Sequence, residues 1–325
     1  MAGAASPPLN IWAVSDGRAG IEAQAEGLAL AVARLRPALV SVKRIAWKGP
    51  LGRLPWRLIP PRLGLDPASD LAPPWPDIWI AAGRASLPLS TRIRRWSGGR
   101  TFIVQIQDPR TSLEPFDLVI PPAHDGLAGP KVFPIVGAPN RLTAERLASE
   151  LARFQSRLAA LPRPHVAVII GGTSKAFDLP PARAAGMGAQ IAAAVAAAGG
   201  SVLVSFTRRT PEPARRILAE SLKALPGWIW DGTGENPYYA FLATADAILV
   251  TEDSTNLATD AAATGKPVHV LAMHGQHKKF ARFHQELNQR GIARPFVGEL
   301  ENAPYSPLDE TNRAAGELLH RFDAR

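Results

Sequence analysis

No cysteine occurs in this chain. That excludes disulfides, zinc–thiolate sites, iron–sulfur clusters and thiol catalysis, and nothing then argues for export. Long apolar runs are also missing. The least polar helical stretch, Ala184 to Gly200, is alanine interspersed with glycine, too short and too weakly apolar to span a bilayer. The N-terminal MAGAASPPLN lacks a basic region followed by an apolar stretch of signal-peptide length, so the expected location is the cytoplasm. There is no HExxH and no clustering of histidines, so no metal site is expected. The first strand leads into SDGRAG rather than GxGxxG, which speaks against a Rossmann oxidoreductase or epimerase. No recognised nucleic-acid motif is present and the aromatics are not laid out as stacking platforms, so no nucleic-acid partner is expected.

What is present is a 325-residue chain, about right for two domains of ordinary size, with 46% hydrophobic and 20% charged residues and a net charge of +9. The charge suits an anionic partner: a nucleotide, a phosphorylated substrate or an acidic membrane surface. A composition rich in Ala, Arg, Pro and Gly gives the same sign with no partner at all. The densest basic cluster runs from Lys43 to Arg62 (Lys43, Arg44, Lys48, Arg53, Arg57, Arg62), with Trp47, Trp56 and several leucines interleaved. Prolines 50, 55, 60 and 61 forbid a long helix there. Two readings stand. The Trp47–Arg62 segment either dips into an anionic membrane interface or is a proline-rich excursion folded over its own domain.

Short β-rich runs alternate with helical stretches. Strands are predicted at 10–16, 39–47, 77–83, 101–108, 116–122 and 132–139, then at 165–172, 201–207, 228–232, 247–253 and 268–273. Helices are predicted at 21–36, 85–96 and, behind an N-cap at Thr143, 143–158. Most strands are continuously apolar, as parallel strands covered on both faces require. A Leu-Pro-Arg-Pro joint begins at Leu161. The expectation is an α/β protein of two Rossmann-like domains, residues 1–160 and 161–308, with a helix at 309–325 packing back across the joint.

In such sheets ligands gather at the carboxyl ends of strands. Gly171, Gly172, Thr173, Ser174 and Lys175 follow one strand: glycines for close backbone approach, two hydroxyls and a cation, suited to a diphosphate or to an ordinary tight turn. Thr207, Arg208 and Arg209 end the next, where arginines ahead of a helix oppose its dipole unless an anion is bound. The stretch TEDSTNLATDAAATGKP (251–267) ends a third. Asp253 or Ser254 caps the helix from Thr255, and Asp260 lies inside that helix, placed to accept from a ribose diol.

The segment 245–280 resembles the donor-domain signature of GT-B glycosyltransferases, the MurG-like group in particular. Asp260 falls on the acidic position five before the glycine of Gly265-Lys266-Pro267, where that family holds the nucleotide ribose. Gln276, His277 and Lys278 fall in its Gln-His-Lys loop near the donor sugar. The departures are Glu252-Asp253-Ser254 in place of a Ser-Gly turn, and Asp in place of Glu at the ribose position. A wider match, carried by WAVSDGRAGIEAQAEGLA (12–29), PDIWIAAGRASLPLS (76–90), TFIVQIQDPR (101–110), FDLVIPPAHD (116–125), GENPYYAFLATADAILVTEDS (234–254) and KKFARFH (278–284), is similar to the ELM1 family. Its plant members are associated with mitochondrial fission through recruitment of a dynamin-like protein.

The resemblance implies two domains facing a cleft, a nucleotide-diphosphate sugar as donor, and no bound metal or other cofactor. On this reading the donor site comprises Gly171–Lys175, Thr207–Arg209, Glu252, Asp253, Ser254, Asp260, Gln276 and Lys278. The acceptor side comprises Gly17, Arg18, Gly20, Arg84, Gln107 and Arg110. Asp16 is the general-base candidate, or merely a cap for the following helix. His124-Asp125 is a weak further pair, its side chains on opposite faces if the chain is extended. The competing expectation is a non-catalytic adaptor binding a protein partner or a membrane.

Overall fold

The structure is a computed structural model, and it describes residues 7–49, 51, 54, 56–60 and 64–325. The initial Met1–Ser6, and Pro50, Arg53, Pro55, Pro61 and Arg62 of the basic segment, lie outside the described residues. The chain divides into two compact units, residues 1–141 with 309–325, and residues 142–308. The division falls at Arg141 rather than near 160, because helix α4 (Ala144–Leu158) packs on α7 (Tyr238–Thr244). Thr143 caps α4, its Oγ accepting from the Arg146 N–H at 3.1 Å.

The first unit holds strands β1 (Leu9–Ser15), β2 (Ala38–Arg44), β3 (Ile78–Ala82), β4 (Phe102–Ile106) and β5 (Leu118–Ile120) in one parallel sheet, ordered β2-β1-β3-β4-β5. Helix α1 (Ala19–Leu35) and the C-terminal α10 (Glu310–Asp323) cover one face, burying Leu28, Val32, Leu318 and Leu319 against Ile11, Ile80 and Val104. Glu310, almost fully buried, fastens α10 by accepting from the Val136 N–H (2.8 Å). Trp12, Trp79 and Ile103 fill the other face. The stretch 85–96 is not one helix: a 3₁₀ turn (Arg84–Ser86) and two single turns, α2 (Leu87–Ser90) and α3 (Ile93–Trp96), replace it. Residues 132–139 form no strand, only two isolated bridges, at Val132 and Ile135. Pro134 between them has no N–H to continue a ladder.

The second unit holds β6 (His165–Ile170), β8 (Ser201–Phe206), β9 (Gly227–Ile229), β10 (Ala247–Thr251), β11 (Val268–Leu271) and β13 (Ala293–Pro295), parallel and ordered β13-β11-β10-β6-β8-β9. Two strands of two residues each, β7 (Phe177–Asp178) and β12 (His274–Gly275), form a separate antiparallel ribbon. Helices α5 (Pro181–Ala197), α6 (Glu212–Leu222), α8 (Thr255–Ala262) and α9 (Lys278–Gln289) complete it. Ile191, Val195, Leu218 and Leu222 pack on Val166, Val168, Val202 and Val204. Each such aliphatic side chain contributes about 1.5–3 kcal/mol by leaving water.

No helix among the described residues is long and apolar enough to cross a membrane.

Candidate functional site

Strand order locates both candidate sites. In the second unit the chain winds outward from β6 through β8 to β9, then returns to build β10, β11 and β13 on the other side. The reversal lies between β6 and β10, and a crevice opens beyond the carboxyl ends of strands at such a switch point. Gly171–Lys175 follow β6 and Glu252–Ser254 follow β10. In the first unit the reversal lies between β1 and β3, followed by Asp16–Gly20 and Gly83–Ser86.

At the second unit's switch point, Asp253 is the hub. Its side chain is 0% exposed. It accepts from the Gly172 N–H (3.0 Å), the Thr251 hydroxyl (2.7 Å) and the Arg209 guanidinium (2.7 Å). Thr251 in turn accepts from the Gly171 N–H at 2.7 Å. One carboxylate thus ties together the ends of β6, β8 and β10. The two glycines are required by this packing: a Cβ on Gly171 would overlap the Asp253 carboxylate, and one on Gly172 the Arg209 backbone. The next two amides of the loop are also engaged, Thr173 N–H with the Arg209 carbonyl (3.1 Å) and Ser174 N–H with that of Phe177 (2.8 Å). The loop is therefore a rigid platform rather than a nest of open N–H donors.

The acids of TEDS have separate tasks. Ser254, not Asp253, caps α8, accepting from the Leu257 N–H. Glu252 reaches across to the Met273 N–H (2.6 Å), joining β10 to the loop after β11, while its carbonyl receives the His284 Nε2 (2.9 Å). Since a carbonyl only accepts, His284 carries its proton on Nε2, and burial lowers its pKa. Asp260, on α8, accepts from the Tyr238 hydroxyl at 2.9 Å. Burial, then the neighbouring carboxylate, raises the Tyr238 phenol well above its usual pKa.

The groups left at the surface are mostly cations. Lys175, Arg208, Gln276 and Lys278 are exposed, Thr207 is half-buried, and the Arg209 side chain is 44% exposed although held by Asp253 and by the carbonyls of Gly172 and Thr173. The β7–β12 ribbon sets His274 opposite Asp178 and Gly275 opposite Phe177. That holds the loop carrying Lys175 beside the loop carrying Gln276, which leads into α9 at Lys278. Arg183 reinforces the junction by donating to the Ala272 carbonyl (2.9 Å). His277 caps α9 through its ring nitrogen. The ribbon, Tyr238 and Arg183 were not legible as site parts. Strands of two residues have no periodicity, and the other two show their role only through partners distant in sequence.

The first unit's switch point opens into a cavity of about 440 Å³. Asp16, Arg18, Arg84 and Gln107 line its polar side, and Ile21, Trp47, Leu54 and Ile59 its apolar side. Asp16 does not cap α1. The N-cap position belongs to Arg18, and Asp16 accepts the Arg18 backbone N–H (3.2 Å) and Nε (3.1 Å) instead. Gly17, with φ +75°, makes the turn possible, and Gly20 lies in the first turn of α1. Gln107, also at positive φ, donates to Gln24 (3.0 Å). Arg110 is exposed, its N–H bound to Asp108. His124 and Asp125 sit in a 3₁₀ turn, not an extended segment, and approach to 3.7 Å. Of the basic segment, Trp47 is packed against the core and donates to the Ala85 carbonyl (3.1 Å), Lys43 pairs with Asp70, and Arg44 pairs with Glu22. Leu54 and Leu58 remain exposed.

Comparison with known proteins agrees with this architecture. A solved UDP-GlcNAc 2-epimerase from Methanocaldococcus jannaschii, in complex with UDP-GlcNAc and UDP, superposes with a TM-score of 0.53 at 11% identity, covering 97% of this chain and 99% of that one. A structure described as the glycotransferase of kitacinnamycin gives 0.51 at 16% identity, covering 98% and 94%. At these identities the likeness is one of fold, two Rossmann-like domains of the GT-B type. In sequence, the mitochondrial fission protein ELM1 of Arabidopsis thaliana is 32% identical over 284 residues, 77% of this chain; the match spans 65% of the plant protein's length. An uncharacterised protein of Rickettsia prowazekii is 28% identical over 348 residues, 94% of this chain and 97% of that one. The family model described as "Mitochondrial fission ELM1" matches residues 19–322, and the chain belongs to that family.

Proposed function

We propose that this protein is a glycosyltransferase: its second unit binds a nucleotide-diphosphate sugar, and its first unit binds the acceptor. The observation that supports the reading is the placement of four cations beyond strand ends of the second unit: Lys175 between β6 and β7, Arg208 and Arg209 after β8 with Arg209 held by Asp253, and Lys278 at the start of α9 after β12. Preorganised cations there stabilise a departing diphosphate, and a scaffold has no need of them. Asp260 takes the ribose diol. In the reaction an acceptor oxygen bonds to the anomeric carbon while the bond from that carbon to the diphosphate oxygen breaks. The nucleoside diphosphate leaves with the electron pair, and Asp16 takes the acceptor's proton. The apolar wall of Trp47, Leu54 and Ile59, with Leu58 exposed nearby in the same segment, suits a lipid-linked or membrane-proximal acceptor.

The test is thermal unfolding against UDP, GDP, ADP, CMP and their sugars. A ligand at about 100 times its Kd stabilises by about 2.7 kcal/mol, a shift of several degrees. One nucleotide should produce it, Asp260→Ala should abolish it, and Tyr238→Phe, which removes only the hydroxyl bonded to Asp260, should retain it. No shift with any nucleotide favours the second reading, a non-catalytic adaptor that binds a protein partner or a membrane surface; the plant relative is named for mitochondrial fission and not for an enzymatic activity.

A further inference from the structure

The first unit's cavity holds an arrangement that the acceptor role alone does not explain. The carboxylate placed to take a proton is already occupied. Asp16, only 16% exposed in its side chain, is clamped by its near neighbour Arg18 through both the backbone N–H and Nε. The clamp itself is weak, because the Arg18 side chain is 79% exposed and pairs of that kind contribute little. Arg84, exposed on the turn after β3, lines the same cavity. Two guanidinium groups accompany one carboxylate in that lining, so its polar side carries a net positive charge.

We propose that the acceptor carries a phosphoryl group beside its reacting hydroxyl, and that this group, held by Arg84 and Arg18, draws Arg18 off Asp16. Guanidinium groups match phosphate oxygens in planar paired hydrogen bonds. The anion offers the Arg18 guanidinium several acceptor oxygens where Asp16 gives its Nε one, and Arg84 supplies the second cation. Once Arg18 Nε is drawn away, the carboxylate oxygen it held is open to the acceptor hydroxyl, and only when an acceptor is in place. This proposal rests on the transferase reading for the hydroxyl and the proton, but the phosphate site stands independently of it. A cavity of about 440 Å³ holds a phosphate ester with room for part of an apolar chain along Trp47 and Ile59.

The probes are sn-glycerol 3-phosphate in solution, and vesicles of phosphatidylglycerol in phosphatidylcholine with pure phosphatidylcholine as control. Binding to the full-length protein is measured by calorimetry for the first and co-sedimentation for the second. Binding should be lost in Arg84→Ala and Arg18→Ala, which remove exposed side chains, and retained in Arg209→Ala, which alters only the second unit. Asp16→Asn should bind about two- to fivefold more tightly, because Arg18 no longer has to leave a carboxylate. Arg84-dependent binding of glycerol 3-phosphate assigns a soluble phosphate ester. Arg84-dependent binding of phosphatidylglycerol vesicles alone assigns a lipid headgroup. Binding that no first-unit substitution changes, no binding of either probe, or weaker binding by Asp16→Asn overturns the proposal. Failure of the transferase reading shows separately, as absence of a nucleotide response while the Arg84-dependent response persists.

Discussion

Replacing Asp253 by alanine tests whether the second unit's switch point is a braced structure or a loose collection of polar ends. The carboxylate is fully buried and receives three donors. Its loss leaves the Gly172 N–H buried without an acceptor, which costs about 1–3 kcal/mol, and removes the acceptor of the Thr251 hydroxyl, about 1 kcal/mol more. Arg209, nearly half exposed, turns to water at little cost. The expected loss is therefore about 3 kcal/mol, read from urea unfolding at unchanged m-value. In thermal unfolding, that corresponds to about 6–12 °C for a unit of this size. Asp253→Asn keeps one acceptor and the side-chain volume, and should lose about half as much. Arg209→Ala should lose little more when added to Asp253→Ala, because the partner is already gone. An Asp253→Ala protein within about 0.5 kcal/mol of wild type, or strict additivity with Arg209→Ala, would refute the hub.

Two further outcomes follow from the same geometry. Gly172→Ala drives a Cβ into the Arg209 backbone and should destabilise by about 3 kcal/mol in urea unfolding, whereas Gly186→Ala, at an exposed position in α5 with open space around its Cβ, should be stabilising by about 0.5–1 kcal/mol. Lys266, whose ammonium donates to the carbonyls of Leu242 and Ala243 near the end of α7, has its pKa lowered by burial from 10.5 to about 8, against the opposing pull of Asp246. Below pH 8 both folded and unfolded chains hold the proton and the burial penalty applies in full. Between pH 8 and 10.5 the unfolded chain binds a proton that the folded one has released, so stability rises with pH. The stability of wild type minus that of Lys266→Met should therefore climb through this window at up to about 1.4 kcal/mol per pH unit, and a flat difference from pH 7.5 to 10 contradicts it.

Much of the architecture was readable because it depends on local pattern. Continuous apolar runs such as HVAVII, SVLVSF and AILV are buried throughout and are strands, and the residues just after them are strand ends wherever the sheet is placed. Turn chemistry was readable in the same way at Thr143 and at Ser254, whose caps need only neighbours along the chain. The absence of cysteine and the alternation of strands with helices limited the chemistry and the fold class in advance.

What each polar strand end does was decided only by tertiary structure. Asp253 reads as a cap or a ligand in sequence, and becomes a buried strut once β6, β8 and β10 lie side by side and Arg209 arrives from 44 positions away. Asp260 meets Tyr238 across 22 residues, and Asp16 is clamped by a residue two positions on through a turn that periodicity does not encode. The two-residue β7–β12 ribbon has no signal of its own, yet it brings the loop of Lys175 beside the segment that leads into α9. Hydrophobic pattern is a property of neighbours along the chain and so is written in the sequence. Hydrogen-bond partners are chosen among groups that only folding makes neighbours.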